Sequence, residues 1–174
     1  GCIYQAAQGQ GVARQVSIHA GIPNTTPAVT SNILCGSGLF SVVQAVRAIR
    51  SGDCHIIVAG GTENMTKAPY LLAKGREGYR MGHAEIHDHM IFDGLTDAFN
   101  NYHMGMTAEN LAEKYEISRE EQDKFAVDSQ NKAEKAQNEG RFEDEIVAVS
   151  IKKRREEIVC DTDEYIRKGA TFEG

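Results

Sequence analysis

Among the residues of this chain, a cysteine set beside glycines has the most chemical promise. Cys35 stands in the run Asn32-Ile33-Leu34-Cys35-Gly36-Ser37-Gly38-Leu39, with β-prone residues before it and a helix-like pattern after it. A tight turn from strand to helix lifts one side chain clear of its surroundings, which is the geometry of a nucleophile elbow. Three effects converge on such a thiol. A helix N-terminus favours thiolate over thiol. Gly36 and Gly38 leave room for a bulky acyl group, and amides of the first turn can receive a developing oxyanion. The competing reading is an inert, buried cysteine whose glycines serve packing alone, as most free cysteines do. Cys2, at the start of the chain, Cys54, opening an apolar run, and Cys160, in an acidic segment, read as structural.

A second constellation, His83-Ala84-Glu85-Ile86-His87-Asp88-His89, gathers three histidines and two acids. On a helix, His83 and His87 would share a face at zinc-ligand spacing. The flanking residues lack helical periodicity, however, and no Cys or further His recurs at ligand spacing. A solvated loop or subunit contact is therefore expected, with no metal. Neither Gly9-Gln10-Gly11 nor Gly60-Gly61 completes a phosphate-binding pattern.

The elements that must hold Cys35 follow from periodicity. Gly11 to Ala20 spaces Val12, Val16 and Ala20 or His19 as a helix does, and Gly21 with Pro23 stops it. Pro27 to Ser31 is a short β-prone run. Leu39 to Arg50 places apolar residues at 39, 42, 43, 46 and 49, the pattern of a helix with one buried face. Cys54 to Ala59 is nearly all apolar, as in a parallel strand buried on both faces. Strand, glycine turn, helix and strand together make a βαβ unit, so the fold class is α/β.

Beyond that unit, Gly75 to Asn101 shows no sustained period and reads as a long structured loop. Met106 to Tyr115 is expected to be a short helix. Ser118-Arg119-Glu120-Glu121 is a capping box opening a helix that runs to about Glu139, with Gly140 as its stop. Glu145 to Ile151 alternates as a strand does, and Ile158-Val159 suggests another.

Composition limits the class of function. The chain has 174 residues, 41% hydrophobic, with a formal net charge of −6. No stretch reaches the roughly 18 apolar residues of a membrane helix, so no membrane partner is expected. The acidic balance argues against nucleic acid. Four cysteines make no disulfide framework in a chain of this size, which favours a reducing compartment. Residues 1–72 hold four basic and two acidic residues, leaving 15 of the 19 basic and 23 of the 25 acidic ones to the remainder. That contrast marks two sub-regions meeting near Lys67-Ala68-Pro69. The chain opens Gly1-Cys2-Ile3-Tyr4, without Met or a secretory pattern, so either the true N-terminus has been removed or the chain is a piece of something longer.

Several motifs, in order, resemble one family. The Cys35 run, then Gly60-Gly61-Thr62-Glu63-Asn64-Met65 and Lys67-Ala68-Pro69-Tyr70, is similar to the thiolases. So are Asp93 to Phe99 (DGLTDAF), His103-Met104-Gly105, Thr107 to Asn110 (TAEN), Ser129 to Ala133 (SQNKA) and Asp163 to Arg167 (DEYIR). The nearest type is the biosynthetic acetyl-CoA acetyltransferase, and the resemblance spans the whole chain. It implies a thiolase-like α/β fold, a partial αβαβα core with an inserted loop domain. Residues 1–64 would belong to the core, and 65–174 to the loop domain that covers CoA.

The resemblance also implies roles. The thiol of Cys35 would attack an acyl-CoA and become acylated. The enolate of a second acetyl-CoA would then attack the acyl-enzyme, giving acetoacetyl-CoA, or free CoA would do so in reverse. Gly36 and Gly38 would support the elbow and oxyanion. His103 and Met104 would line the pantetheine and acyl pocket, and Lys74 to His83 would join dimers into a tetramer. By the same resemblance the substrates would be CoA thioesters, with no cofactor required. The partners expected are acetyl-CoA, acetoacetyl-CoA and further copies of the chain, in the cytoplasm or an organelle matrix, within fatty acid metabolism.

The departures carry expectations of their own. The family's Gly-His-Pro histidine, its Asn-Glu-Ala-Phe asparagine and its second catalytic cysteine do not occur here. A nucleophile without its general base loses most of its rate, so the chain alone is expected to be inactive. Its open sheet edge and unpartnered apolar face should favour aggregation. Two rivals stand beside this reading. One is a non-catalytic half-subunit module needing a partner chain, and the other a condensing enzyme of the ketoacyl-synthase type, which the motifs after Lys67 disfavour. The run Lys152-Lys153-Arg154-Arg155 is balanced by Glu156 and Glu157 and reads as a solvated turn, with contact to a CoA phosphate as the alternative.

Overall fold

A computed structural model of the chain describes residues 1–154 and 156–174. These fall into two compact units, Gly1–Thr107 and Ala108–Gly174.

In the first unit, helix α1 (Val12–His19) starts from Gly11 in the left-handed conformation at φ 57°. Its N-terminus gains a partner from outside the helix: the Ala13 amide donates to the Thr30 hydroxyl at 2.9 Å. The Pro27–Ser31 run is thus an extended brace rather than the expected strand. Its one described backbone bond is Cys2 N–H to Ser31 O, at 3.0 Å. Helix α2 (Ser37–Ser51) covers the expected segment and ends at Gly52, whose φ of 82° suits a residue without Cβ.

The packing around α2 departs from expectation. Its apolar positions were expected to be buried, yet Leu39 is 73% exposed, and Val42, Val43, Val46 and Ile49 are also exposed. Cys54–Ala59 was expected to be a buried parallel strand, but it runs without a ladder, with Ile56 88% and Val58 83% exposed. One cause explains both corrections. A strand exists only where a neighbour takes up its N–H and C=O groups. Among the described residues no partner strand is hydrogen-bonded to this segment, so the expected βαβ ladder is not formed and the apolar positions of α2 stay uncovered.

The buried residues of this unit include Cys2, Tyr4, Ser17, His89 and, on α2 itself, Ser37 and Ala45. Residues 60–63 lie beside residues 1–4. The Gly1 nitrogen donates to Gly60 O at 2.8 Å, and the Thr62 amide donates to Gly1 O at 3.1 Å. Further on, Met65–Lys67 forms a 3₁₀ turn capped by Asn64. Strands β1 (Tyr70–Leu71) and β2 (His87–Asp88) then pair antiparallel, Tyr70 opposite Asp88 and Leu71 opposite His87. The stretch Gly75–Asn101, read as loop, therefore holds a strand, and also a π-helical turn at Ile91–Leu95. Helix α3 (Met104–Lys114) begins two residues before its expected start.

The second unit follows its sequence signals closely. Helix α4 (Arg119–Asn138) opens on the Ser118–Glu121 capping box, with both reciprocal bonds formed. It closes through Glu139 to Gly140 at φ 68°. Strands β3 (Val149–Lys153) and β4 (Glu156–Cys160) form an antiparallel hairpin, so the first strand begins later than expected and the second is longer. The basic run resolves into cross-strand partners: Lys152 stands opposite Glu157 and Lys153 opposite Glu156. Arg155 lies outside the described residues.

Candidate active site

Cys35 is exposed and sits two residues before the first residue of α2. The turn that presents it is strained at the residue before it: Leu34 has φ 57°, a left-handed conformation that costs an L-residue with a Cβ about 1 kcal/mol. Local polar groups hold that conformation. The Leu34 amide donates to Asn32 Oδ1 at 2.8 Å. The Ser37 hydroxyl donates to Leu34 O while accepting the Ile33 amide at 2.9 Å, and the Ser37 amide closes the turn onto Leu34 O, also at 2.9 Å. Ser37 is buried, so this clasp is shielded from water.

The first i→i−4 bond of α2 is Phe40 N–H to Gly36 O, at 2.8 Å. The amides of Gly38 and Leu39 precede it and have no helix carbonyl behind them, as at any helix start. Gly36 and Gly38 meet different neighbours. A Cβ on Gly36 would stand 3.1 Å from Ile33 Cδ1, while Gly38 faces Gly61 backbone to backbone. Gly61 is the tighter partner: a Cβ there would lie 3.0 Å from Gly38 Cα and 3.4 Å from Gly1 O. Two glycines thus let the extended 60–63 segment pass under the first turn of α2.

Glu63, within the run Gly60 to Met65, carries no signal of its own in the sequence. In the structure its carboxylate accepts the Ile3 amide at 2.9 Å, the Tyr4 amide at 2.8 Å and the Cys2 thiol at 3.4 Å. Burial alone would push this carboxyl up, but the two amide bonds, with help from the thiol, hold its pKa below the ordinary value. Burial pushes the Cys2 thiol up, and the hydrogen bond to Glu63 adds to it. Tyr4 is 2% exposed. Its pKa is also raised, first by burial and then by the charge of Glu63, with Cys35, Asp88 and Asp93 adding to the effect. Its hydroxyl donates to Met90 O at 3.0 Å and rests on Gly94, where a Cβ would collide with it.

His89 packs edge-on to Tyr4, with ring centroids 5.4 Å apart, and its Nδ1 is hydrogen-bonded to Asp93. The ring of His87 lies 4.9 Å from that of Phe92. Two of the three clustered histidines are thereby engaged with neighbours in the first unit. Among the described residues no group of three His, Cys, Asp or Glu stands close enough to hold a metal ion.

His103 is the last residue of a loop closed by its bridge to Thr96. Inside that loop Asp97 accepts the amides of Phe99 and Asn100, chiefly that of Asn100, which hold its carboxyl below the usual range. The Gly105 amide donates to His103 Nδ1 at 3.0 Å, which leaves the proton of the neutral ring on Nε2. Met104 follows as the first residue of α3 and is half-exposed. Cys35, Gly36 and Gly38 therefore share one turn, while His103 and Met104 share another. Among the described residues no hydrogen bond joins the two turns.

Comparison with known proteins agrees with these motifs. Residues 1–174 match the family model described as the thiolase N-terminal domain. The chain is 53% identical to the acetyl-CoA acetyltransferase of Cupriavidus necator, over 99% of its own length and 44% of that protein. It is 52% identical to a probable acetyl-CoA acyltransferase of Staphylococcus aureus, again over 99% and 44%. The crystal structure of the Bacillus anthracis acetyl-CoA acetyltransferase superposes with a TM-score of 0.92 at 40% identity, covering 99% of this chain and 44% of that one. The chain thus spans a little under half the length of these relatives. Its fold over that span is the thiolase α/β fold, and the chain belongs to the thiolase family.

Proposed function

We propose that Cys35 is the acyl-accepting nucleophile of an acetyl-CoA C-acetyltransferase. The observation that carries this reading is an exposed thiol on a strained, hydrogen-bonded turn at the start of a 15-residue helix, in a chain of the thiolase family. The Cys35 thiolate attacks the carbonyl of acetyl-CoA. The tetrahedral intermediate collapses, CoA thiolate leaves, and an acetyl thioester remains on Sγ. The α-carbanion of a second acetyl-CoA then attacks that thioester carbonyl. The new C–C bond gives acetoacetyl-CoA and returns the thiolate, and the reverse sequence cleaves acetoacetyl-CoA with free CoA. The amides of Gly38 and Leu39, with Gly36 and Gly38 keeping the approach open, supply donors for the oxyanion.

His103 Nε2–H and the half-exposed Met104 fit a pocket wall for pantetheine and acyl groups, within a loop domain taken as residues 65–174. Residues 1–64 form part of the core. Proton transfer at the second substrate needs groups absent from these residues, so the 174-residue chain alone does not turn over. The loop Lys74–His83, with Met81 fully exposed, fits a contact between copies in a homotetramer. Homologues in bacteria favour the cytoplasm.

The test is covalent. The full-length protein is incubated with acetyl-CoA, and its proteolytic peptides are weighed. One acetyl group is expected on the Cys35 peptide, and none on that peptide in Cys35→Ser. Absence of the increment in wild type, or its persistence in the variant, rejects the assignment.

A further inference from the structure

We infer that Glu63 is a positioning residue for the Cys35 turn, acting through the segment Gly1–Tyr4. The inference rests on the reading of Cys35 as the nucleophile. Its basis is a continuous run of contacts from one carboxylate to the strained residue beside the thiol. Glu63 accepts the amides of Ile3 and Tyr4. The carbonyl of the same Ile3 accepts Asn32 Nδ2–H at 3.5 Å, and Asn32 Oδ1 accepts the Leu34 amide at 2.8 Å. Leu34, at φ 57°, immediately precedes Cys35.

A second route runs underneath. The Gly1 nitrogen and the Ser41 hydroxyl both donate to Gly60 O, at 2.8 and 2.9 Å, and Ser41 also lies 2.6 Å from Gly38 O. Gly1 packs so closely on the Ser37–Gly38 peptide that a Cβ there would overlap it. The floor of the α2 first turn is therefore the pair of segments that Glu63 ties together.

A carboxylate suits this task because it offers only acceptors, and it meets two backbone N–H groups and a thiol. Glutamine at this place keeps the size but turns a donor toward one of those N–H groups. The clasp would loosen on one side, and Leu34 would relax toward its favoured conformation. Displacing a reacting group by about 1 Å lowers rates on the order of 100-fold.

The experiment is a rapid-quench measurement of Cys35 acetylation in the full-length protein, at saturating acetyl-CoA, for wild type and Glu63→Gln. Two quantities are read from peptide masses, the rate constant and the final fraction acetylated, and repeating the series at lower acetyl-CoA gives the half-saturation. Glu63→Gln is expected to acetylate about 10- to 100-fold more slowly to the same final fraction, with half-saturation by acetyl-CoA changed less than about twofold. A role in folding alone would lower the final fraction and leave the rate constant unchanged, and that result overturns the inference. So does a wild-type rate with a wild-type end point. If Glu63→Gln yields no folded protein, Glu63→Asp, which keeps the charge but shortens the reach, is read in the same way. Slower acetylation in it supports the inference and an unchanged rate rejects it. Failure of wild type to acetylate Cys35 rejects the nucleophile itself, and is thereby distinct from failure of the Glu63 role.

Discussion

A thiol's reactivity is set by the groups around it, and here those groups divide by how visible they are in sequence. Cys35 and its glycines are legible because small residues between a β-prone run and a helical period admit few other geometries. Glu63 is not legible in that way. Its partners are mostly main-chain amides of Ile3 and Tyr4, and any residue but proline supplies an amide, so no pattern of side chains marks the contact. Its effect should appear on the acid side. A carboxyl held below its ordinary value near 4.5 adds stability that is complete above that value and is lost as pH falls through the depressed one. Urea unfolding of the full-length protein should show wild type more stable than Glu63→Gln by an amount that is constant near neutral pH. That margin should shrink as pH drops below about 4.5 and approach its minimum on full protonation. A margin that grows on acidification would contradict the direction of the shift.

Among elements, local signals were reliable and pairing was not. Helix α4 follows from its capping box and Gly140, because those bonds close within a few residues. Helix α2 follows from its period, as does the start of α1 from Gly11. The apolar run Cys54–Ala59 has the composition of a strand, but a strand is a property of two segments, and this one has no hydrogen-bonded partner strand among the described residues. The β3–β4 hairpin is half legible for the same cause: its second strand carries Glu156 and Glu157, which look like loop until they face Lys153 and Lys152. The crossing of Gly61 under α2 offers a test at this scale. In Gly61→Ala the new Cβ meets backbone at 3.0 and 3.4 Å, and backbone cannot rotate away as a side chain does. A loss of about 1 to 3 kcal/mol is expected from denaturant unfolding of the full-length protein. Gly60→Ala, where a Cβ meets nothing within 4 Å and the φ is likewise not left-handed, is the control for losing a glycine without a clash.

Over the whole molecule, the exposed apolar surface is the dominant physical fact. Leu39, Val46, Ile56, Val58 and many others face outward, and among the described residues no large side chain is completely buried. Residues 1–174 expressed alone should therefore bind a hydrophobic dye such as ANS and self-associate at micromolar concentration. The full-length protein should do neither, and dye binding equal in the two would show that this surface stays open. The joint between residues 1–4 and 60–63 has a consequence for the order of assembly. Its bonds span 59 to 61 positions of chain, whereas the Asn32, Leu34 and Ser37 clasp closes within four. Short loops close far sooner than long ones, so the Cys35 turn is outlined early and its floor arrives late. Until that floor is laid, the Asn32 and Ser37 bonds alone hold Leu34 in its left-handed conformation. The geometry of the Cys35 turn is thus completed only after residue 63 has left the ribosome, and on a shorter nascent chain the turn stands without the support beneath it.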